Sequence, residues 1–128
     1  MTDPIWVPLA AVLVIHDRQI TRHGGASGMR DRALLEMGCA RAMNLAGYTN
    51  PGLAEIAAAY AFGICKAHAF VDGNKRTAFV TALTFLRLNG YSFRPMTLDG
   101  VRMMEGLATG EVSEAEFATW LATGMSAV

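Results

Sequence analysis

The sequence has no surplus of either charge. Eleven basic side chains face eleven acidic ones, the formal net charge is zero, and charged residues make up only 17% of the chain. That balance removes any global electrostatic pull toward nucleic acid or an anionic membrane, so phosphate recognition would have to come from a local cluster. Cysteine is scarce too. Cys39 and Cys65 both lie in apolar helical stretches and are expected to be buried thiols, not a disulfide framework. Three histidines, at His16, His23 and His68, show no spacing with cysteine that would build a zinc site. No apolar run is long enough to cross a bilayer. The stretch Leu9–Ile15 is short, follows Asp3 and Pro8, and has neither a basic leader nor a small-residue cleavage site, so a cytoplasmic location is expected.

What is present is apolar material, 52% of 128 residues, enough for one globular domain spanning residues 1–128. No segment alternates with period two for long, and glycine and proline divide the chain into about six helices, an all-α fold. The first runs from Pro8 to about His23, with Leu9, Val12, Leu13 and Ile20 inward, and stops at Gly24-Gly25. A second covers about Asp31 to Ala42, with Leu34, Leu35 and Met37 inward. The third, about Leu53 to Ala67, carries only Glu55 and Lys66 as charges. The fourth, about Asn74 to Leu88, has none between Thr77 and Leu86. Helices apolar all round belong in the centre of a fold. A fifth is expected from a cap at Thr97, with Val101, Met104 and Leu107 inward. A capping box at Ser113 and Glu116 starts a sixth, with Phe117, Trp120 and Leu121. Tyr91-Ser92-Phe93 suits a short extended piece. Trp6 and Trp120 are expected in the core, with a partner groove as the alternative.

Between the two central helices lies His68-Ala69-Phe70-Val71-Asp72-Gly73-Asn74-Lys75-Arg76. A polar loop held by two buried helices is rigidly supported. Asp72-Gly73-Asn74 opens a helix, where unpaired backbone N–H groups and the positive end of the dipole favour an anion. Lys75 and Arg76 oppose that dipole, which makes sense if an anion is to sit there. Arg76 can grip two phosphate oxygens, and Lys75 acts as a point charge. Asp72 can hold Mg²⁺ beside phosphate oxygens. His68 can take a proton from an attacking hydroxyl. Each residue alone has an ordinary alternative: a cap, a core histidine, a solvated cation. Phe70 reads as the anchor of the loop. His16-Asp17 reads as a polar patch bonded to neighbouring loops or bordering the site, and Lys66 and Arg87 as solvated helix ends, with a place near the site as the alternative.

In this segment the chain resembles the Fic/Doc (Fido) superfamily, whose motif is His-x-Phe-x-Asp/Glu-x-Asn-x-Arg. Lys75, where the Fic branch usually has glycine, resembles the death-on-curing branch. The similarity extends to His16-Asp17, Gly24-Gly25, Gly28-Met29-Arg30-Asp31, Phe85-Leu86-Arg87-Leu88-Asn89-Gly90 and Gly110-Glu111-Val112-Ser113. The resemblance implies an all-helical Fido core with two central helices flanking the active-site loop. It implies His68 as general base, Asp72 at Mg²⁺ or orienting the target, and Gly73, Asn74, Lys75 and Arg76 as the phosphate site, with Arg76 also catalytic. It further implies a toxin of a toxin–antitoxin pair that uses ATP and Mg²⁺ to phosphorylate a threonine of elongation factor Tu, and a small antitoxin that lays a helical segment near the site. No direct nucleic-acid or membrane contact is expected. Bulk and charge at Lys75 should change the triphosphate pose; that the change favours γ-phosphoryl transfer over AMP transfer is an implication of the resemblance. Self-inhibited Fic proteins carry Ser/Thr-x-x-x-Glu-Gly/Asn. Here Val101 precedes Glu105-Gly106, so inhibition in cis is not expected. The competing readings are AMP transfer on the same fold, an inactive binding module, and a metal-dependent phosphohydrolase built on His16-Asp17, which the shortage of further ligands disfavours.

Overall fold

A computed structural model describes residues 3–128. Its elements in order are α1 (Leu9–His23), α2 (Arg32–Tyr48), α3 (Leu53–Ala67), α4 (Asn74–Leu88), β1 (Tyr91–Phe93), α5 (Thr97–Thr109), α6 (Glu114–Gly124) and β2 (Met125–Ala127). α3 is the axis of the fold, with α2, α4 and α6 packed around it, α1 packed on α4, and α5 against both α3 and α4. The apolar girdle of α3 is buried as expected: Ala57, Ala58, Ala59, Ala61 and Ile64 have no exposure. α4 is the second central helix, burying Thr77, Ala78, Thr81, Ala82, Phe85 and Leu86.

Local chemistry sets the helix ends. The carbonyl of Pro8 accepts from the N–H groups of Ala11 and Val12, and Gly24, at φ 81°, closes α1 by donating to Ile20 O. Asp31 caps α2 by accepting from Leu34 N at 3.2 Å. Ser113 and Glu116 form the reciprocal box at the start of α6, both bonds being 3.0 Å. The carboxyl of Glu116 is lowered, first by its bond from the Ser113 backbone N–H and then by the Ser113 hydroxyl.

α2 departs from expectation in two ways. It continues six residues beyond Ala42, because Leu45 and Ala46 pack on the core and nothing breaks the chain before Thr49. Its inward stripe is Leu35, Gly38 and Ala42, whereas Leu34 and Met37 are exposed. The cause is a close crossing: a Cβ on Gly38 would stand 2.6 Å from the carbonyl oxygen of Gly63 on α3. Only a glycine fits at that point, so the inward stripe is centred on Gly38. In α5 the inward stripe is also displaced, though without a close crossing, since a Cβ on Gly100 would meet only the Phe79 ring at 3.4 Å. Thr97 begins the helix without capping it, Met96 being the residue before the first turn. Gly100 turns inward against Phe79, and Val101 is left exposed. Cys65 is buried, but Cys39 is only half-buried.

β1 forms where an extended piece was expected. Its partner, β2 at the end of the chain, was not anticipated; the two pair antiparallel from Tyr91–Ala127 to Phe93–Met125. Three-residue strands are too short to show a period. Trp120 is half-buried beside Phe93, Phe117 and Phe79, with ring centroids at 4.8, 5.4 and 6.1 Å, and half-buried Trp6 lies 5.8 Å from Phe85. Both tryptophans pack against the core. No helix among the described residues is long and apolar enough to cross a membrane.

Candidate active site

The loop between α3 and α4 begins at His68, which has φ 47° and ψ 42° and is the one non-glycine residue with positive φ among those described. This left-handed step turns the chain off the α3 axis and leaves His68 exposed. Ala69 and Phe70 then drop into the core. The loop is tied on both sides. Arg30 and Asp31 donate their N–H groups to Ala69 O at 2.6 and 3.1 Å, and Val71 N donates to Gly28 O at 3.1 Å. Asn74 spans the turn from within: its Oδ1 accepts from Phe70 N at 3.0 Å and its Nδ2 donates to Phe70 O at 2.9 Å. The Asn74 side chain is thus committed to bracing the loop, and its backbone N–H is what remains for a ligand.

Asp72 is exposed yet held. Gly73 N donates to its Oδ1 at 2.9 Å and Ala26 N to its Oδ2 at 3.3 Å. Gly25 makes room for this carboxylate, since a Cβ there would stand 2.7 Å from Oδ2. The segment Gly24–Gly28 therefore acts as a strap across the loop. Gly73, at φ 78°, precedes α4 without a side-chain cap. Thr77 N closes the first turn onto Gly73 O, so the N–H groups of Asn74, Lys75 and Arg76 lie outside the helical ladder. Lys75 and Arg76 are exposed, and neither forms an ion pair among the described residues.

His68, Asp72, Gly73, Asn74, Lys75 and Arg76 all border one open cavity of about 820 Å³. The cavity also has an apolar lining, made by Phe79 of α4 and by Met96, Val101 and Met104 around α5. Val101, turned out of the core, thus becomes part of this lining. The cavity therefore combines an uncapped helix start carrying two cations with apolar surface suited to a flat or aliphatic group. Glu105 also lines it. No three His, Cys, Asp or Glu side chains gather into a metal cluster among the described residues, so a cation at Asp72 would take its remaining ligands from phosphate oxygens and water.

Besides the apolar lining, two polar residues of α1 that border the cavity are not legible as site residues in the sequence. Gln19 and His23 of α1 line the cavity. Only a partial signal exists for Gln19: it lies seven residues after Val12, on the buried side of α1, where a polar side chain calls for a partner. His16, on that same side, is buried and bonded to Asp72 O, so it supports the loop from beneath, while neither it nor the exposed Asp17 lines the cavity. Lys66 lies elsewhere. Its Nζ donates to Ala108 O at 2.8 Å and lies over the Phe62 ring, so it is not a freely solvated end. Arg87 is exposed near the far end of α4.

The profile of the Fic/DOC family matches residues 6–86. The chain is 36% identical over 113 residues to a protein of Escherichia phage P1 described as "Protein kinase doc", covering 86% of this chain and 87% of the relative. It is 42% identical over 69 residues to "Toxin Doc" of Mycolicibacterium smegmatis, covering 52% of this chain and 53% of that protein. The matched region runs from the N-terminal segment through α4 and includes the whole loop from His68 to Arg76. With its helical architecture and this loop, the chain belongs to the Fic/DOC family.

Proposed function

We propose that this protein is the toxin of a toxin–antitoxin pair, a cytoplasmic enzyme that transfers the γ-phosphoryl group of ATP to a Ser or Thr hydroxyl of a translation factor, elongation factor Tu being the first candidate, and so arrests translation. One observation carries the reading: His68 and the uncapped, doubly cationic start of α4 border a single open cavity, with the Asp72 carboxylate already oriented beside them. The kinase outcome is favoured by the similarity to the phage P1 protein and, through the resemblance to the death-on-curing branch, by Lys75 in place of the usual glycine.

His68 accepts the proton of the acceptor hydroxyl as its oxygen bonds to the γ-phosphorus, and the bond from that phosphorus to the β,γ-bridging oxygen breaks to leave ADP. Arg76 grips phosphate oxygens through two N–H groups, and Lys75 adds a point charge. The N–H groups at the start of α4 complete the anion site, and Gly73 allows close approach. Asp72 would hold Mg²⁺, which neutralises charge on the phosphate oxygens. The apolar surface of Phe79, Met96 and Val101 would seat the flat base of the nucleotide. The partner that silences the site is an antitoxin placing a helical segment near the cavity.

Intact-mass spectrometry of elongation factor Tu after incubation with this protein, ATP and Mg²⁺ tests the reading. The expected result is a gain of one phosphate. A gain of one AMP keeps the site and replaces the nucleotide pose. No modification of this factor or of any protein in whole lysate overturns the enzymatic reading in favour of an inactive binding module.

A further inference from the structure

We infer that His16 on α1 is a positioning residue for the His68–Arg76 loop, acting through the peptide plane between Asp72 and Gly73. His16 is only 3% exposed, and a polar group so buried is stable only when bonded. Its Nε2–H donates to the carbonyl oxygen of Asp72 at 2.8 Å. The ring lies flat on Phe70, with centroids 3.7 Å apart and planes 7° apart. A Cβ on Gly73 would lie 3.5 and 3.6 Å from His16 Cδ2 and Nε2, so the imidazole is seated directly over that glycine. α1 therefore touches the loop at Phe70, Asp72 and Gly73 through one side chain.

The bond matters because of what shares the peptide. The Asp72 carbonyl and the Gly73 N–H belong to the same planar unit, and Gly73 N holds Asp72 Oδ1 at 2.9 Å. Rotation of that plane would swing the N–H away from the carboxylate and redirect Asp72. Glycine makes such a rotation cheap, since Gly73 populates both signs of φ readily. An external tether on the carbonyl is what fixes the plane, and His16 supplies it. Nδ1 faces the exposed carboxylate of Asp17 at 4.0 Å, beyond hydrogen-bond reach, which leaves the Nε2–H tautomer as the one the loop requires.

The kinetic arm of the test rests on the phosphoryl-transfer reading; the spectroscopic arm does not. His16→Phe keeps a flat ring on Phe70 and removes the donor; His16→Gln restores an N–H at similar reach. Expected is a fall in kcat of about 10- to 100-fold for the Phe variant, because misaligned groups lose rate steeply, with KM for ATP changed by less than about threefold. The Gln variant should recover most of the loss. Independently, NMR of the wild-type protein should show a slowly exchanging Nε2–H on His16. In the Phe variant the Gly73 amide signal should shift and lose exchange protection, while that of Phe70, held by Asn74, stays. An Nδ1–H tautomer in the wild type overturns the inference whether or not the variants fold. So does a Phe variant with unchanged kcat and an unmoved Gly73 amide, or a Gln variant as impaired as Phe at equal thermal stability. Absence of any transfer by the wild type would overturn the proposed function alone and leave the NMR result to decide the role of His16.

Discussion

Asn74 and Arg76 stand two residues apart and do opposite work. Asn74 spends its amide on the two backbone groups of Phe70, while Arg76 is exposed at the cavity without an ion pair among the described residues. The pattern of residue types located both in the loop, but not this division. It depends on which atoms meet after the turn, and spacing carries no such information. The same holds for His16, whose partner is 56 residues away. Two mutational outcomes follow at this scale. Arg76→Ala should leave thermal stability unchanged and lower kcat by roughly 3 kcal/mol of transition-state stabilisation, as for loss of one preorganised charged donor. Steady-state kinetics on the purified variant checks it, and an unchanged kcat would remove Arg76 from the site. Asn74→Ala should instead cost stability, since it leaves two backbone groups of Phe70 unbonded at about 1 kcal/mol or more each, and chemical denaturation should show the loss.

At the level of elements, α3 and α4 were fully legible because long uncharged stretches leave no other place for them. α2 and α5 were not, and glycine is the reason in both. Apolar spacing assigns Met37 and Val101 to the core, but Gly38 and Gly100 are buried in their stead; at Gly38 a tight helix crossing selects the smallest residue, while at Gly100 the Phe79 ring packs on the glycine. A hydrophobicity pattern scores glycine as neutral and cannot anticipate that. Gly38→Ala drives a methyl onto the Gly63 carbonyl and should destabilise by about 3 kcal/mol or more, above the usual range for an overpacked side chain because the obstacle is backbone. Met37→Ala, at an exposed position, should change stability by less than about 0.5 kcal/mol. Urea unfolding of the pair checks the contrast, and equal effects would contradict the crossing. Ser113→Ala should cost about 1 kcal/mol by removing half of the α6 capping box.

At the scale of the whole molecule, three groups that titrate at alkaline pH are shifted in the same direction. Burial pushes the Cys39 thiol from 9.0 to about 11 and also raises Cys65 and Tyr60. In the unfolded chain Cys39 loses its proton near 9.0, whereas in the folded chain it keeps it to about 11. Within that window the folded state binds more protons, so its stability is complete below 9.0 and falls as pH rises toward about 11. Denaturation midpoints across this range should decline, and Cys39→Ala should flatten part of the slope. A level profile would contradict the burial of these groups. The short sheet that joins the chain end to Tyr91–Phe93 also belongs to this scale: β2 has no local signature and exists only because α6 delivers it to β1.

The central claim is that the loop from His68 to Arg76 moves a phosphoryl group. The most direct measurement incubates a translation-competent lysate with this protein and ATP labelled at either the γ- or the α-phosphorus, alongside His68→Ala. Label transferred to protein from γ-labelled ATP only, and lost in a folded His68→Ala by about 10²-fold or more as expected for a missing general base, is the predicted result. Transfer from α-labelled ATP, or full activity of His68→Ala, would contradict it.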